Sequence, residues 1–364
     1  MLSIMPHLSL LLSLLLTIAS IVRASPLILT TDNANISAYW AAETFWELHK
    51  SADGDLNPES FQAIPPQLIN DDGAFKIYTE PSEASAFFKL VDSRSLKKGM
   101  AFSSSLSDQW NAQSNTLRPT WHYTWGSTYF GDSVHPKSVE WVPMLWGRGA
   151  YTEEKVLALK PMIESGLIKN ILLFNEPDLD TQSNVSVSEA VQLTVFLQQK
   201  FVENGIALDS VNFISPVVAY QYEDWLYPYL AQATAAGCKI DYICMHKYVT
   251  NSSPTNFITS LQNRYNEILA LGYNKKVWLK EFSLKRKQNG AEHTDAMVEA
   301  FMDGVLTFLE SAEWIHRYAW FSASYKNVNG EWILGGNRQD DSVLWDNRVG
   351  NGSSTDLGDY YRSF

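Results

Sequence analysis

From Lys97 onward the sequence repeats one theme, a short run rich in Val, Ile and aromatic residues followed by an amphipathic helical stretch. That alternation specifies βα units on a parallel sheet, because each crossover returns the chain across a face that its helix covers. The candidate strands are Gly99 to Ser103, Trp121 to Trp125, Val139 to Trp146, Ile171 to Asn175, Asn212 to Val218, Tyr242 to His246, Lys276 to Phe282 and Arg317 to Ser322. Eight is the number a closed barrel needs. Most of these runs are apolar on both faces, as strands between a barrel interior and a helical layer must be. The expected fold is therefore α/β, a TIM (β/α)8 barrel over residues 97–364. The connections between its first three strands are short, so its early helices are expected to be reduced or missing.

The later helices are well marked. Ser186 and Glu189 form a capping box before a run that ends at Gly205. Ser253-Pro254 opens a second, with Phe257, Ile258, Leu261, Tyr265, Ile268 and Leu269 on one face before Gly272. A third places Met297, Ala300, Phe301, Val305, Phe308 and Leu309 at helical spacing. After Ser324 the chain is rich in Gly and Asn and is expected to be irregular. No internal repeat is evident.

Residues 1–24 have the form of a signal peptide, with an apolar run from Leu8 to Val22 and a small-residue site at Val22-Arg23-Ala24. Residues 25–96 follow as an N-terminal extension, dense in turn residues and without a sustained period. Sequons at Asn35, Asn184, Asn251 and Asn351 are candidate glycosylation sites and agree with export. The chain is expected to be secreted, extracellular or in a cell wall, free of the membrane once the leader is cut, and monomeric. Cys238 and Cys244 are its only cysteines. With 240–246 extended they would lie about 20 Å apart, beyond disulfide reach, so both are expected to be free and buried.

A net charge of −12 argues against nucleic acid, which needs a basic footprint. A neutral polymer is the better partner. The 13 Trp suit it, since flat indole rings can stack on sugar rings, although any one Trp also makes a large core residue. No metal site or cofactor is indicated: His122, His135, His246, His293 and His316 lack ligand spacing, and there is no phosphate-cradling Gly-rich loop.

The chemistry concentrates in two carboxylates. Phe174-Asn175-Glu176-Pro177-Asp178 ends the fourth strand, where barrel enzymes place reactive groups, and Pro177 stops the ladder there. Glu281 ends the comparable run Val277-Trp278-Leu279-Lys280-Glu281-Phe282 on the seventh, although it could also simply pair with Lys280 or Lys285. Across an eight-membered ring the two Glu can face each other. Facing carboxylates about 5 to 5.5 Å apart define a retaining glycosidase, and a wider gap an inverting one.

Further elements carry a family resemblance. Trp121-His122-Tyr123-Thr124-Trp125-Gly126, Val139-Glu140-Trp141-Val142-Pro143-Met144-Leu145-Trp146-Gly147, Asn175-Glu176-Pro177-Asp178, Met245-His246-Lys247-Tyr248, Trp278-Leu279-Lys280-Glu281-Phe282 and Arg317-Tyr318-Ala319-Trp320-Phe321 together resemble glycoside hydrolase family 128. These are the Asl1-like endo-β-1,3-glucanases on a TIM barrel. The resemblance implies Glu176 as general acid/base, Glu281 as nucleophile and Asn175 as partner of the sugar 2-hydroxyl. It implies a β-glucan substrate and no cofactor. Tyr123, Trp125, Trp146, His246, Tyr248 and Trp320 complete the candidate binding set, with the three Trp as sugar platforms and His246 or Tyr248 orienting Glu281.

Three positions depart from the family pattern: Thr124 for a common Asn, Lys247 for a usual Trp, and Lys280 for a small or hydroxyl residue. Strand alternation predicts that Lys247 and Lys280 point away from the face carrying His246 and Glu281. Three functions stay open at this level: an endo-β-1,3-glucanase, a retaining hydrolase of another β-linked glycan, and a non-catalytic glucan-binding wall protein.

Overall fold

Short apolar strands ending in turn residues build the C-terminal part of the molecule. The computed structural model describes Leu2–Ser3 and residues 27–364, except 32–34, 42–45, 53–61, 65–67, 72–74, 82–85, 93, 137–138, 286, 289–290, 329–330, 335–342 and 349. The expected leader, apart from Leu2–Ser3, lies outside the described residues. The chain divides into two compact units, 1–94 and 95–364. Among the described residues no helix is long and apolar enough to cross a membrane.

In the second unit we label the principal strands β1 (Lys98–Ala101), β2 (Trp121–Tyr123), β3 (Glu140–Trp141), β4 (Asn170–Leu172), β5 (Asn212–Ile214), β6 (Ile243–Val249), β7 (Val277–Leu284) and β8 (Ile315–Trp320). Each expected run overlaps one of them, although five of the strands extend past the expected bounds. Six form a parallel sheet in the order β3-β2-β1-β8-β7-β6, and β4 pairs with β5. Single parallel bridges, Met144–Leu172 and Ile214–Tyr242, link the two sheets. The uninterrupted eight-stranded ladder of a closed barrel is not found: the pairing narrows to one bridge on either side of the β4–β5 pair, where the strands are three residues long.

Two apolar clusters lie on opposite faces of these strands. One takes side chains from all eight or their extensions, among them Ala101, Trp121, Met144, Leu172, Ile214, Cys244, Trp278 and Ala319. Gly99 makes room for it, since a Cβ there would lie 2.1 Å from the Trp121 ring. The other cluster joins alternate strand residues to the helices.

Helix α1 (Trp110–Leu117) precedes β2, none is found between β2 and β3 among the described residues, and α2 (Glu153–Leu157) and α3 (Lys160–Glu164) are single turns. The early helices are thus reduced, as expected. Helix α4 (Val187–Glu203) starts where Ser186 accepts the Glu189 N–H at 3.3 Å, but the Glu189 carboxylate is taken by Arg148 rather than closing the capping box. Helices α5 (Tyr227–Ala235), α6 (Pro254–Ala270) and α7 (Asp295–Ser311) follow. Gly205 and Gly272, at φ 78 and 90, supply the left-handed exits from α4 and α6.

Two further expectations need correction. The stretch after Ser324 is not simply irregular: it forms a hairpin, Tyr325–Val328 with Glu331–Leu334, and a helix, α8 (Asp356–Arg362), capped by Thr355. Tyr361 of α8 is buried and bonds Gly99 O at 2.9 Å, so this helix belongs to the core. Both cysteines are free, but only Cys244 is buried; Cys238 precedes the strand and is half-buried.

The first unit also departs from its reading. It holds two four-stranded antiparallel sheets around Ala38, Leu48, Ile64, Tyr78 and Phe88. Asn35–Ala41 and Trp46–Ala52 recur as Phe75–Pro81 and Ala86–Asp92, with equal strand lengths and equal gaps, and each pairs with its counterpart. This is an internal structural repeat. Letter similarity between the copies is slight, which hid it.

Candidate active site

Past β4 the chain runs on to Glu176 between its neighbouring strands. Asn175 N–H bonds Trp146 O at 2.9 Å and Glu176 N–H bonds Val217 O at 2.8 Å, so the next strands on both sides hold the segment. Glu176 then turns at φ 42, a conformation that costs a non-Gly residue about 1–3 kcal/mol and is typical of functional sites. Asp178 fixes the loop after β5 by accepting the N–H groups of Ala219, Tyr220 and Gln221 at 2.9–3.1 Å.

Glu281 enters from β7, where the register changes. Met245 pairs with Leu279 but His246 pairs with Glu281, so Lys280 is the extra residue of a β-bulge. A bulge re-aims side chains, and here it brings both Lys280 and Glu281 to the inner face. The expectation that Lys280 points away is therefore wrong. Lys247, on regular strand, does point outward, with its ammonium 5.4 Å from the Phe257 ring of α6.

His246 joins the two carboxylates. Its Nδ1 shares a hydrogen bond with Glu176 Oε1 at 2.9 Å, and its Nε2 lies 3.4 Å from Glu281 Oε1, within charge contact but outside hydrogen-bond geometry. All three side chains are buried. Glu281 Oε1 accepts from Trp125 Nε1–H at 3.0 Å and the Tyr123 hydroxyl at 3.1 Å, and Oε2 accepts from the Tyr248 hydroxyl at 2.5 Å. Lys280 Nζ lies 3.0 Å from Oε1. Burial acts to raise the Glu281 pKa, but the charges of His246 and Lys280 and the Tyr248 and Trp125 hydrogen bonds outweigh it. Its carboxyl is held well below the usual range. Burial and the Glu281 charge push the Tyr123 hydroxyl well above 10, so it stays a donor.

The structure thus gathers Asn175, Glu176, Tyr123, Trp125, His246, Tyr248 and Glu281. Tyr123 is not a surface for sugar: it is fully buried, and its hydroxyl bonds Glu281 and the Lys280 carbonyl. Trp125 and Trp146 are half-buried and line a cavity of about 650 Å³ with Tyr129, Met144 and Met162. Trp320 does not join them. It is fully buried on the helix side, 5.3 Å from Phe282 and 6.3 Å from Phe301 of α7, because alternation on β8 turns Ala319 inward. Asn184, Asn251 and Asn351 are exposed; the side chain of Asn35 lies outside the described residues. His122 and His135, distant in sequence, meet at 3.0 Å in a buried aromatic cluster away from the carboxylates.

Sequence reasoning missed two residues of the site. Gln182 accepts from Asn175 Nδ2 at 3.3 Å, and Lys280 donates to Asn175 Oδ1 at 2.6 Å. Lys280 was marked only by its departure from the family pattern and as a candidate ion-pair partner of Glu281, not as a partner of Asn175.

Two buried carboxylates around one imidazole, at the C-terminal ends of parallel strands and beside an aromatic-lined cavity, are the equipment of a glycoside-cleaving enzyme. The chain belongs to the family described as glycosyl hydrolase catalytic core, which matches residues 99–361.

Solved structures agree. A glycoside hydrolase family 128 (subgroup I) endo-β-1,3-glucanase variant from Amycolatopsis mediterranei, in complex with laminarihexaose, is 26% identical with a TM-score of 0.57, over 74% of this chain and 99% of that one. A subgroup III curdlan-specific exo-β-1,3-glucanase from Blastomyces gilchristii shares the fold at 24% identity and TM-score 0.53, over 74% and 99%. So does a subgroup II endo-β-1,3-glucanase from Sorangium cellulosum, at 24% and 0.50, over 73% and 98%. No curated protein matches the sequence.

Proposed function

We propose that this chain is a secreted, retaining endo-β-1,3-glucanase. The observation that carries the reading is the His246 bridge, which couples Glu176 to Glu281 on the inner face. Glu281, held anionic by its donors and cations, attacks the anomeric carbon while Glu176 gives its proton to the leaving glycosidic oxygen. The C–O bond breaks, a glycosyl ester forms on Glu281, and the leaving chain departs as an alcohol. Water then gives a proton to Glu176 and its oxygen to the anomeric carbon, releasing product with β configuration and restoring both carboxyl groups.

Trp125 and Trp146 stack sugar rings along the cavity, and Asn175 binds the 2-hydroxyl. The inner cluster, fed by all eight strands, and the two linking bridges support one barrel behind this mouth. The β-1,3-glucan substrate and the endo mode rest on the subgroup I neighbour, and export on the leader and the exposed sequons.

Incubation with linear β-1,3-glucan, cellulose, xylan and mannan tests the reading. Laminari-oligosaccharides of mixed length from β-1,3-glucan alone are expected. Release of glucose only would contradict the endo mode, and binding without products would contradict catalysis.

A further inference from the structure

Lys280 is 0% exposed. An ammonium at that depth costs several kcal/mol unless its protons are bonded, and its partners here belong to the site. Nζ lies 2.6 Å from Asn175 Oδ1, 3.0 Å from Glu281 Oε1 and 4.9 Å from the Tyr123 ring centroid, with Met144 Sδ at 3.9 Å. The bulge that exposes Glu281 to the inner face is the same one that seats this cation behind it.

Its geometry settles a choice that an amide normally leaves open. The two ends of Asn175 are nearly the same size, but an ammonium has only donors, so the end facing it at 2.6 Å has to be the carbonyl. The NH2 end is turned toward Gln182 Oε1, 3.3 Å away, and is the end left to meet a sugar hydroxyl. A neutral small residue at 280 would leave that orientation to chance and would leave Glu281 without its nearest formal positive charge.

We propose that Lys280 is a positioning residue of the glucan-cleaving centre, locking the Asn175 amide with its NH2 group toward the substrate and holding Glu281 as a free carboxylate. The proposal rests on the reading of Glu281 as nucleophile. Other groups face Glu281 as well: Tyr123 from β2, Cys244, His246 and Tyr248 from β6, and Glu176 beyond the imidazole. Lys280 is the only one of them that also bonds Asn175, and this double contact makes it testable apart from the rest.

Two variants separate charge from hydrogen bonding. Lys280→Met removes both, whereas Lys280→Gln is neutral but keeps a donor for Asn175 Oδ1. In both, the acidic limb of kcat/KM on soluble β-1,3-glucan should move to higher pH. At the optimum, kcat should fall about tenfold or more in Lys280→Met, the loss of a hydrogen bond to a charged group, and less in Lys280→Gln, with KM little changed. The Lys280→Met loss should shrink in an Asn175→Ala background, since coupled residues are not additive. An unmoved acidic limb in both variants, or full additivity with Asn175→Ala, overturns the proposal.

Titration of the Glu281 carboxyl by carbon NMR, assigned with Glu281→Gln, needs no turnover. The wild type should titrate below the ordinary range near about 4.3, and Lys280→Met higher than the wild type. An ordinary midpoint in the wild type overturns the proposal even where the variants do not fold. A wild type that cleaves no glucan refutes the glucanase reading instead, and the same titration still decides whether Lys280 holds Glu281 ionised.

Discussion

The two ends of the strands use the same residue types to opposite effect. At the N-terminal ends, Glu140 of β3 is bonded by Arg317 Nη2 and by Asn170 Nδ2, each at 2.6 Å, and Arg317 lies over the Trp278 ring at 4.5 Å. Burial, with Arg317 and Lys276 nearby, pushes His316 down to about 4. A cavity of about 750 Å³, larger than the one beside Trp125 and Trp146, opens here, lined by Lys97, Glu140, Glu310, His316 and Arg317 among others. At the C-terminal ends the cavity is smaller, but a histidine stands between two carboxylates rather than beside a guanidinium. Cavity size therefore does not single out the end where the chemistry is proposed. A carboxylate locked to a permanent cation has no proton to move, whereas one sharing an imidazole with a second carboxylate does.

The sharpest way to break this contrast is to neutralise one carboxylate at each end. Glu281→Gln should lower kcat on β-1,3-glucan by about 10⁴-fold or more while the fold persists. Glu140→Gln should leave kcat within about threefold yet cost on the order of 3 kcal/mol in urea unfolding, because Arg317 loses its counter-charge. Comparable activity losses would show that the chemistry is not confined to one end.

The indoles sharpen the comparison between mouth and core. Trp125→Ala and Trp146→Ala should each lower kcat/KM on polymer about tenfold, the scale of one aromatic platform, with the Trp125 change also removing a donor to Glu281. Trp320→Ala should instead cost about 3–5 kcal/mol of stability and leave KM alone. Steady-state kinetics beside denaturant curves separates the two patterns.

The smallest expected effect is in pH. Because the Glu281 carboxyl sits below its ordinary range, the acidic limb of kcat/KM should fall below about 4.3. A depressed folded value stabilises the fold above the unfolded value, and that contribution disappears as pH falls through the folded one. Glu281→Gln should remove this acid-dependent part of the stability curve.

Much of the active end was legible in the residues. Glu176 could be placed because an apolar run, an Asn and a strand-stopping Pro coincide there, and the helices because caps and glycines bracket their stripes. Lys280 and Trp320 were misplaced for a single reason, the counting of strand parity. One bulge inverts that parity from Glu281 onward, so that Lys280 and Glu281 both face inward, and on β8 the inward residue is Ala319, so Trp320 falls outside. No periodicity announces a bulge. The N-terminal repeat escaped because its two copies share no identical residue at matching strand positions, and helix α8 because one turn-rich stretch obscures its start.

The central claim, that Glu281 attacks the sugar while Glu176 serves as acid and then base, is tested most directly by the anomeric configuration of the first products. Proton NMR during early hydrolysis of β-1,3-glucan should show the β anomer first, with α appearing only as mutarotation proceeds. An α anomer at the earliest times would mean that water, not Glu281, attacks the sugar, and would contradict the account.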